Sequence, residues 1–410
     1  MALNQALSGI NAAQSDLNVI ANNIANANTT GFKGSRAEFA DVYAVTGINL
    51  SATAVGGGAR LVDVAQQFKQ GDIQTTGNSL DLAISGNGFF VVDTGNGYAY
   101  TRAGAFHQDS SGNVVNAEGY KLQGYPYSTT SGSFNTSTLT DLNLVTAQSS
   151  ATATANVSIA ANLPADAPAL TATPFDAANA SSYNNSTTFT VYDSLGTAHQ
   201  ATAYYVKTNP GNWDVHLVVD GQDVSPTPTP TLTFDSTGKL SAPTDGKLAF
   251  NPPTYPNGAA SQALTLDFSK TTQFGTGYTP GTITQDGYTA GALASIDIDS
   301  TGVVTANYSN GQSSKIGQLA IANFQNLQGL RQLGNVCWMS STDSGTAVMG
   351  TAGSGQYGSI QSGSLEESNT SDTTEQLVNM IKAQRDYQAN AQVLATDNTL
   401  ASSLFNAVSR

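Results

Sequence analysis

Residues 1–33 read MALNQALSGINAAQSDLNVIANNIANANTTGFK, and their apolar side chains recur at the spacing of a helix. The seam of this pattern follows a 4-3 rhythm and consists of Leu3, Leu7, Ile10, Leu17 and Ile24, with Ala6, Ala13 and Ile20 beside it. Such a rhythm is typical of a helix that packs on another helix along one narrow apolar face. A face this narrow does not stabilise a lone helix in water, so the stretch predicts a helix that needs a partner.

The other end of the chain repeats the pattern. Its seam consists of Leu377, Met380, Tyr387, Leu394, Phe405 and Val408, and Asp372 with Glu375 three residues later is a helix start signal. A stripe on a surface helix more often packs on its own domain. Here both stripes lie at the extreme ends of the chain, so we expect an antiparallel coiled-coil pair with apolar surface left over for neighbouring copies. We also expect the ends to become helical on assembly, which couples folding to binding.

The middle of the chain is predicted to be β structure. Residues 88–92 and 98–101 are strand-like and flank Gly95-Asn96-Gly97, a turn that favours a hairpin. Residues 296–299 and 303–305 alternate polar and apolar side chains, which is typical of a sheet with one face exposed to solvent. We expect these two stretches to share a sheet.

Composition changes between residues 146 and 287, where Ala, Thr, Ser and Pro dominate and further strand patterns appear. We therefore expect a mainly β fold with α-helical termini and three parts. The parts are a coiled-coil inner domain (residues 1–70 plus 363–410), a β-rich middle domain (71–145 plus 288–362) and an inserted outer β-barrel or sandwich (146–287).

Bulk composition limits the possible functions. The chain has 410 residues, of which 11% are charged, and a formal net charge of -14, which argues against a nucleic-acid partner. No apolar run approaches the roughly 20 residues needed to span a bilayer, so membrane insertion is not expected. The first residues have neither a basic segment nor a continuous apolar stretch, so a cleaved signal peptide is not expected. Because Cys337 is the one cysteine, it cannot form an intramolecular disulfide, and we expect it to be a small buried residue.

Enzymatic and cofactor sites are not indicated. The three histidines, His107, His199 and His216, lack metal-ligand spacing, so neither a metal nor a catalytic cluster is predicted. The glycine-rich residues 85–88 lead into a strand, whereas a phosphate-binding loop opens a helix. The acidic pairs Asp297 with Asp299 and Glu366 with Glu367 are expected to be solvated. The sequence thus predicts a non-enzymatic protein without a cofactor.

The end motifs resemble those of the bacterial flagellar rod and hook axial proteins. The N-terminal motif includes Asn22, Asn23, Ile24, Asn26, Thr30, Gly31, Phe32 and Lys33. Residues 375–390 resemble the matching C-terminal motif, and residues 100–106 and 119–125 resemble the β-domain that the family shares. Residues 191–196 with His199, residues 306–311 and residues 319–324 resemble the hook subunits of this family, which carry a large inserted domain.

The resemblance implies a structural subunit that polymerises helically into a short, curved, flexible tube and transmits torque from rod to filament. It implies export through the flagellar type III apparatus to the hook outside the cell. The implied partners are further copies of the chain, the distal rod, the hook cap and the hook–filament junction proteins. Two alternatives stay open: a distal rod protein of the same family, and a secreted β-rich adhesin or carbohydrate-active enzyme.

Overall fold

A computed structural model describes residues 2–42, 56–144, 149–170 and 174–408. The N-terminal elements are α1 (Ala2–Ala25), β1 (Ser35–Asp41), β2 (Ala59–Gln66), β3 (Ile73–Thr75), β4 (Leu82–Ser85), β5 (Phe89–Asp93), β6 (Tyr98–Thr101), β7 (His107–Gln108), β8 (Val114–Val115), β9 (Lys121–Ser128), β10 (Ser133–Phe134) and β11 (Thr140–Asp141). The central elements are β12 (Asn156–Pro164), β13 (Asn185–Tyr192), β14 (Ala198–Asn209), β15 (Asn212–Val219), β16 (Gln222–Asp223), β17 (Thr231–Phe234), β18 (Leu240–Ala242), β19 (Lys247–Phe250), β20 (Leu264–Asp267), β21 (Thr272–Phe274) and β22 (Thr279–Gln285). The C-terminal elements are β23 (Leu293–Ile298), β24 (Val303–Tyr308), β25 (Ser313–Asn323), a 3-10 turn (Leu327–Gly329), β26 (Arg331–Gly334), β27 (Cys337–Met339), β28 (Val348–Thr351), β29 (Ser359–Ser362), β30 (Ser364–Glu366) and α2 (Thr373–Val408).

The chain forms two compact units. The terminal unit comprises Met1–Val145, Ile296–Ala306 and Ser314–Arg410, and the insert unit comprises Thr146–Ser295 and Asn307–Ser313. The mainly β fold with a helix at each end is the one predicted from the sequence.

The terminal unit is built on a large sheet in which β5 is central. Among the described residues this sheet has 13 strands and contains the order β23-β24-β25-β9-β5-β6-β27-β26. Phe90 and Val92 of β5 belong to one apolar cluster, whereas Phe89 and Val91 belong to another. Because successive side chains of a strand point to opposite faces, both faces of the sheet are covered at β5.

Two predictions for this sheet are confirmed. β5 and β6 pair antiparallel around the turn at residues 95–97, and Gly95 and Gly97 both have positive φ. Strands β23 and β24 belong to the same sheet as this hairpin.

The expectation that Cys337 is a buried residue is also confirmed.

The insert unit has one core between two sheets. One sheet has the order β13-β14-β15-β17-β18 with β16 attached, and the other has the order β19-β20-β12-β21 with β22 attached. Inward side chains of both sheets, such as Ile159 of β12 and Trp213 of β15, belong to a single apolar cluster. Every second residue of β12 from Val157 to Leu163 is buried, as expected for a strand with one face on a core.

Candidate self-assembly surface

The terminal helices α1 and α2 pack on each other in antiparallel orientation. Near the end of α1, Asn23 Nδ2 donates a hydrogen bond to Gln376 Oε1 near the start of α2, at 3.4 Å. Near the start of α1, Gly9 faces Asn390, and a Cβ on Gly9 would lie 2.6 Å from the Asn390 Cγ. The glycine therefore permits the close approach of the two helices, and the predicted antiparallel pairing is present within one chain.

The buried face of α1 is narrow and made mainly of alanine. Its members recur every seventh residue and are Ala6, Ala13 and Ile20, followed just beyond the helix by Ala27. The predicted seam lies beside this face. Ile10, Leu17 and Ile24 are half-buried, whereas Leu3 and Leu7 are exposed. The alanines allow close packing inside the chain, and the larger apolar side chains of the seam stay partly uncovered.

Helix α2 is even less covered. Ala383 is its one buried residue among those described, and Met380 and Leu394 are half-buried. The other seam residues with described side chains, Leu377, Tyr387 and Phe405, are exposed. Val408 ends α2, but its side chain lies outside the described part of the structure.

The end of α2 extends beyond α1. Helix α2 has 36 residues and α1 has 24, and the antiparallel pairing places the first residues of α1 beside Asn390 and the turns that follow it. The last turns of α2 carry Leu400, Leu404 and Phe405, whose side chains are 59%, 66% and 78% exposed. Large apolar side chains with this exposure, in a row at the end of a helix, mark a surface that gains free energy when a partner covers it.

The N-terminal motif forms the turn that leaves α1. Asn22 O accepts hydrogen bonds from both the backbone and the side-chain nitrogen of Asn26, at 3.1 and 3.0 Å. The buried Asn23 binds Ser35 with both ends of its amide, accepting from Ser35 N at 2.9 Å and donating to Ser35 O at 2.8 Å. The motif thus fixes the direction from the helix into β1.

The other motif residues connect this turn to the strand before α2. Phe32 O accepts from Asn369 N at 3.2 Å, and Gly31 N donates to Glu366 O at 2.8 Å. Gly31 has a φ of 69°, and a Cβ there would lie 2.7 Å from the backbone carbon of Arg102. Only glycine fits this position without strain. Ile24 and Thr30 are half-buried.

Lys33 ends the motif in a buried ion network. Its Nζ lies 2.5 Å from Glu366 Oε1 and donates to Lys69 O at 2.8 Å. Arg102 Nη1 lies 3.2 Å from Glu366 Oε2, and Arg102 Nη2 donates to Gly86 O at 2.6 Å. Burial lowers the pKa of Lys33 and of Arg102, and the charge of Glu366 opposes both shifts. One buried carboxylate therefore joins the exit of α1, the large sheet and the entry to α2.

The expectation that Glu366 is solvated is wrong. Its exposed fraction is 0%, because Lys33, Arg102 and the Gly71 N–H surround the carboxylate. The neighbouring Glu367 is half-buried, and the other acidic pair, Asp297 and Asp299, is exposed as expected. Lys33 and Arg102 both lie in stretches that resemble family motifs, but no local pattern links them to Glu366.

Asp372 acts as the predicted start of α2, since its Oδ1 accepts from Thr374 N at 3.0 Å. Within the described ranges, no cluster of His, Cys, Asp and Glu side chains has the geometry of a metal site. Neither terminal helix, over the part that the structure describes, has the length and apolar composition of a membrane span.

Comparison with known proteins gives matches along most of the chain. Residues 3–33 match the family described as "Flagella basal body rod protein", and residues 361–407 match "Flagellar basal body rod FlgEFG protein C-terminal". Residues 83–171 match "Flagellar hook protein FlgE/F/G D1 domain", and residues 162–288 match "Flagellar basal body protein FlaE D2 domain". Over 412 residues the chain is 40% identical to "Flagellar hook protein FlgE" of Escherichia coli (strain K12), covering 99% of this chain and 100% of that protein.

The chain belongs to the flagellar hook protein family. The protein of the same name from Rhizobium meliloti (strain 1021) is 36% identical over 414 residues, which are 98% of this chain and 97% of that one. The crystal structure of Helicobacter pylori flagellar hook protein FlgE2 has the same fold, with a TM-score of 0.50 and 16% identity over 70% of this chain and 99% of that chain. Family membership favours an axial protein over an adhesin or a carbohydrate-active enzyme.

Proposed function

We propose that this chain is the structural subunit of a bacterial flagellar hook. Many copies assemble helically into a short, curved, flexible tube that transmits torque from the rod to the filament. The proposal rests on family membership over the full chain length and on the uncovered apolar faces of the terminal helices.

One observation carries the assembly mechanism: α1 and α2 pair with each other but leave most of their larger apolar residues partly or fully uncovered. Leu7 is 47% exposed and Leu404 is 66% exposed. Burying one leucine contributes about 1.5–3 kcal/mol, and in a polymer every copy adds such contacts. The same faces supply too little burial within one chain, so neighbouring copies are the natural partners.

Differences in surface chemistry support a tube that bends while it rotates. An inner layer of helices with buried apolar contacts resists sliding, because sliding exposes apolar area at about 25 cal/mol per Å². Contacts made by surfaces rich in Ser, Thr, Asn and Gly are individually weak and often bridged by water. Exchanging one such contact for another therefore costs little free energy. We propose that the β-rich parts supply these exchangeable contacts.

The further partners follow from the family and belong to the same proposal. They are the distal rod, the hook cap and the hook–filament junction proteins, and the flagellar type III apparatus that exports the chain. The proposed place of action is the hook, outside the cell.

A matched pair of leucine variants tests the assembly mechanism. Leu404 in α2 and Leu195 in the insert unit are 66% and 63% exposed, so Leu404→Asp and Leu195→Asp should both leave the folded chain intact. A charge in an apolar interface costs several kcal/mol, so Leu404→Asp should abolish polymers while Leu195→Asp forms them. Sedimentation and electron microscopy measure this. Normal polymers of Leu404→Asp would refute the proposed role of α2.

A further inference from the structure

Residues 251–263 connect β19 to β20 in the insert unit without helix or strand, and they are called the strap here. The strap is bound to the ends of two hairpins. Asn257 Nδ2 donates to Asp193 Oδ2 at 2.5 Å, in the turn between β13 and β14. Thr254 N donates to Gln222 Oε1 at 3.1 Å, in the hairpin of β15 and β16. A segment without regular structure is thus held by side-chain contacts.

A buried histidine lies at the centre of these contacts. His199 Nδ1 lies 2.5 Å from Asp220 Oδ2, and His199 Nε2 lies 3.2 Å from Asp193 Oδ2. The ring of Tyr255, which belongs to the strap, lies on the imidazole with its centroid 4.3 Å away. Asp193 is buried, whereas Asp220 is exposed. The sequence indicated no cluster at His199, because the two carboxylates come from different hairpins.

The positions of the two carboxylates determine the protonation of the ring. A carboxylate only accepts hydrogen bonds, so each imidazole nitrogen must donate, and only the imidazolium has two N–H groups. Burial by itself lowers the pKa of His199, but the bonds to Asp220 and Asp193 outweigh it and keep that pKa above the ordinary value. The bonds from Asn257, Thr197 and His199 keep the pKa of Asp193 far below its usual range, although burial opposes them.

We propose that the proton on His199 fastens the strap to the two hairpin ends, and that the strap detaches when this proton is lost. The groups facing the ring are Asp193 from the β13–β14 turn, Asp220 from the β15–β16 turn and Tyr255 from the strap. Without the proton, one nitrogen lone pair faces a carboxylate oxygen at close range. Asp193 is both the partner of His199 and the acceptor for Asn257, so its displacement breaks the attachment of the strap.

The direction of the pH dependence follows from linkage. A histidine whose pKa is raised in the folded state contributes stability that is fully present below the unfolded value of about 6.5. That contribution is lost as the pH rises through the folded-state pKa. The strap is therefore fastened below the ordinary histidine pKa and released as the pH rises through the raised folded-state pKa.

Hydrogen exchange on the full-length protein tests the proposal. The amides of Thr254 and Ala260 donate to Gln222 Oε1 and Ser194 Oγ, so they report on strap attachment. After correction for intrinsic exchange rates, their protection should fall several-fold between about pH 6 and about pH 9. His199→Gln should show the same low protection at both pH values. His216→Gln, which changes another histidine of the insert unit, should keep the pH dependence of the unaltered protein.

Two results would overturn the proposal: equal protection of the strap at both pH values in the unaltered protein, or a pH dependence that persists in His199→Gln. If His199→Gln does not fold, nitrogen NMR of the unaltered protein decides. At about pH 6.5, the ordinary histidine pKa, both His199 nitrogens should carry protons in more than half of the molecules. A neutral ring at that pH would exclude the fastening role.

Discussion

Lys33 and Glu366 lie 333 positions apart in the chain, and they form a fully buried ion pair. Arg102 approaches the other oxygen of the same carboxylate. The network has two cations and one anion, so the carboxylate is the counter-charge that both cations share. Through it, the turn after α1, the large sheet and the strand before α2 keep one relative position.

Glu366→Gln should cost more stability than Lys33→Met. The first change leaves two buried cations without a counter-charge, which we expect to cost about 3–5 kcal/mol. The second leaves a balanced pair of Glu366 and Arg102. Urea unfolding of the unassembled protein measures both, with Glu38→Gln as control. Glu38 pairs with Arg36 on the surface, so its removal should cost under about 1 kcal/mol. Equal costs for Glu366→Gln and Glu38→Gln would contradict the role of Glu366 as the counter-charge that Lys33 and Arg102 share.

Gly31→Ala should destabilise the protein more than Gly95→Ala. Both glycines have positive φ, so each substitution brings backbone strain of about 1 kcal/mol or more. At Gly95 the added Cβ meets no atom within 4 Å, whereas at Gly31 it meets the backbone of Arg102 and Ala103. Thermal unfolding of the two variants gives the difference, and a lower melting temperature for Gly95→Ala would show that the contact is unimportant.

Asp16→Asn should stabilise the helix pair at neutral pH. Burial raises the pKa of Asp16 above its ordinary 3.8, and nearby Asp386 adds to this while Lys382 opposes it. The raised pKa means that the charged form is disfavoured in the folded state, so stability is lost as the pH rises through that pKa. The variant should melt at a higher temperature than the unaltered protein at about pH 7, and this difference in melting temperature should shrink on acidification. A difference that does not change with pH would mean that the charge of Asp16 does not cause the destabilisation.

The sequence allowed correct predictions where the determining signals were local. The 4-3 spacing from Leu3 to Ile24 predicted α1, Asp372 predicted the start of α2, and Gly95-Asn96-Gly97 predicted the β5–β6 hairpin. Each of these predictions depends on residues that lie close together in the sequence. The three-part domain division remains a prediction.

Sequence reasoning failed where distant segments determine the environment of a side chain. Glu366 looked solvated beside Glu367, because its partners Lys33 and Arg102 lie 333 and 264 positions away. His199 looked isolated, although Asp193 is only six positions earlier, because the second carboxylate comes across a neighbouring hairpin. The one local sign of this network was Lys33, a charged residue inside the N-terminal motif.

Hydrogen exchange of α1 and α2, in dilute monomer and in assembled polymer, tests most directly whether these helices find their partners in neighbouring copies. Because Ala6, Ala13 and Ile20 supply most of the buried face of α1, we expect weak protection of both helices in the monomer and strong protection in the polymer. Amides of β5 should be strongly protected in both. Equally strong protection of α1 and α2 in the dilute monomer, with no tendency to polymerise, would contradict assembly through the terminal helices.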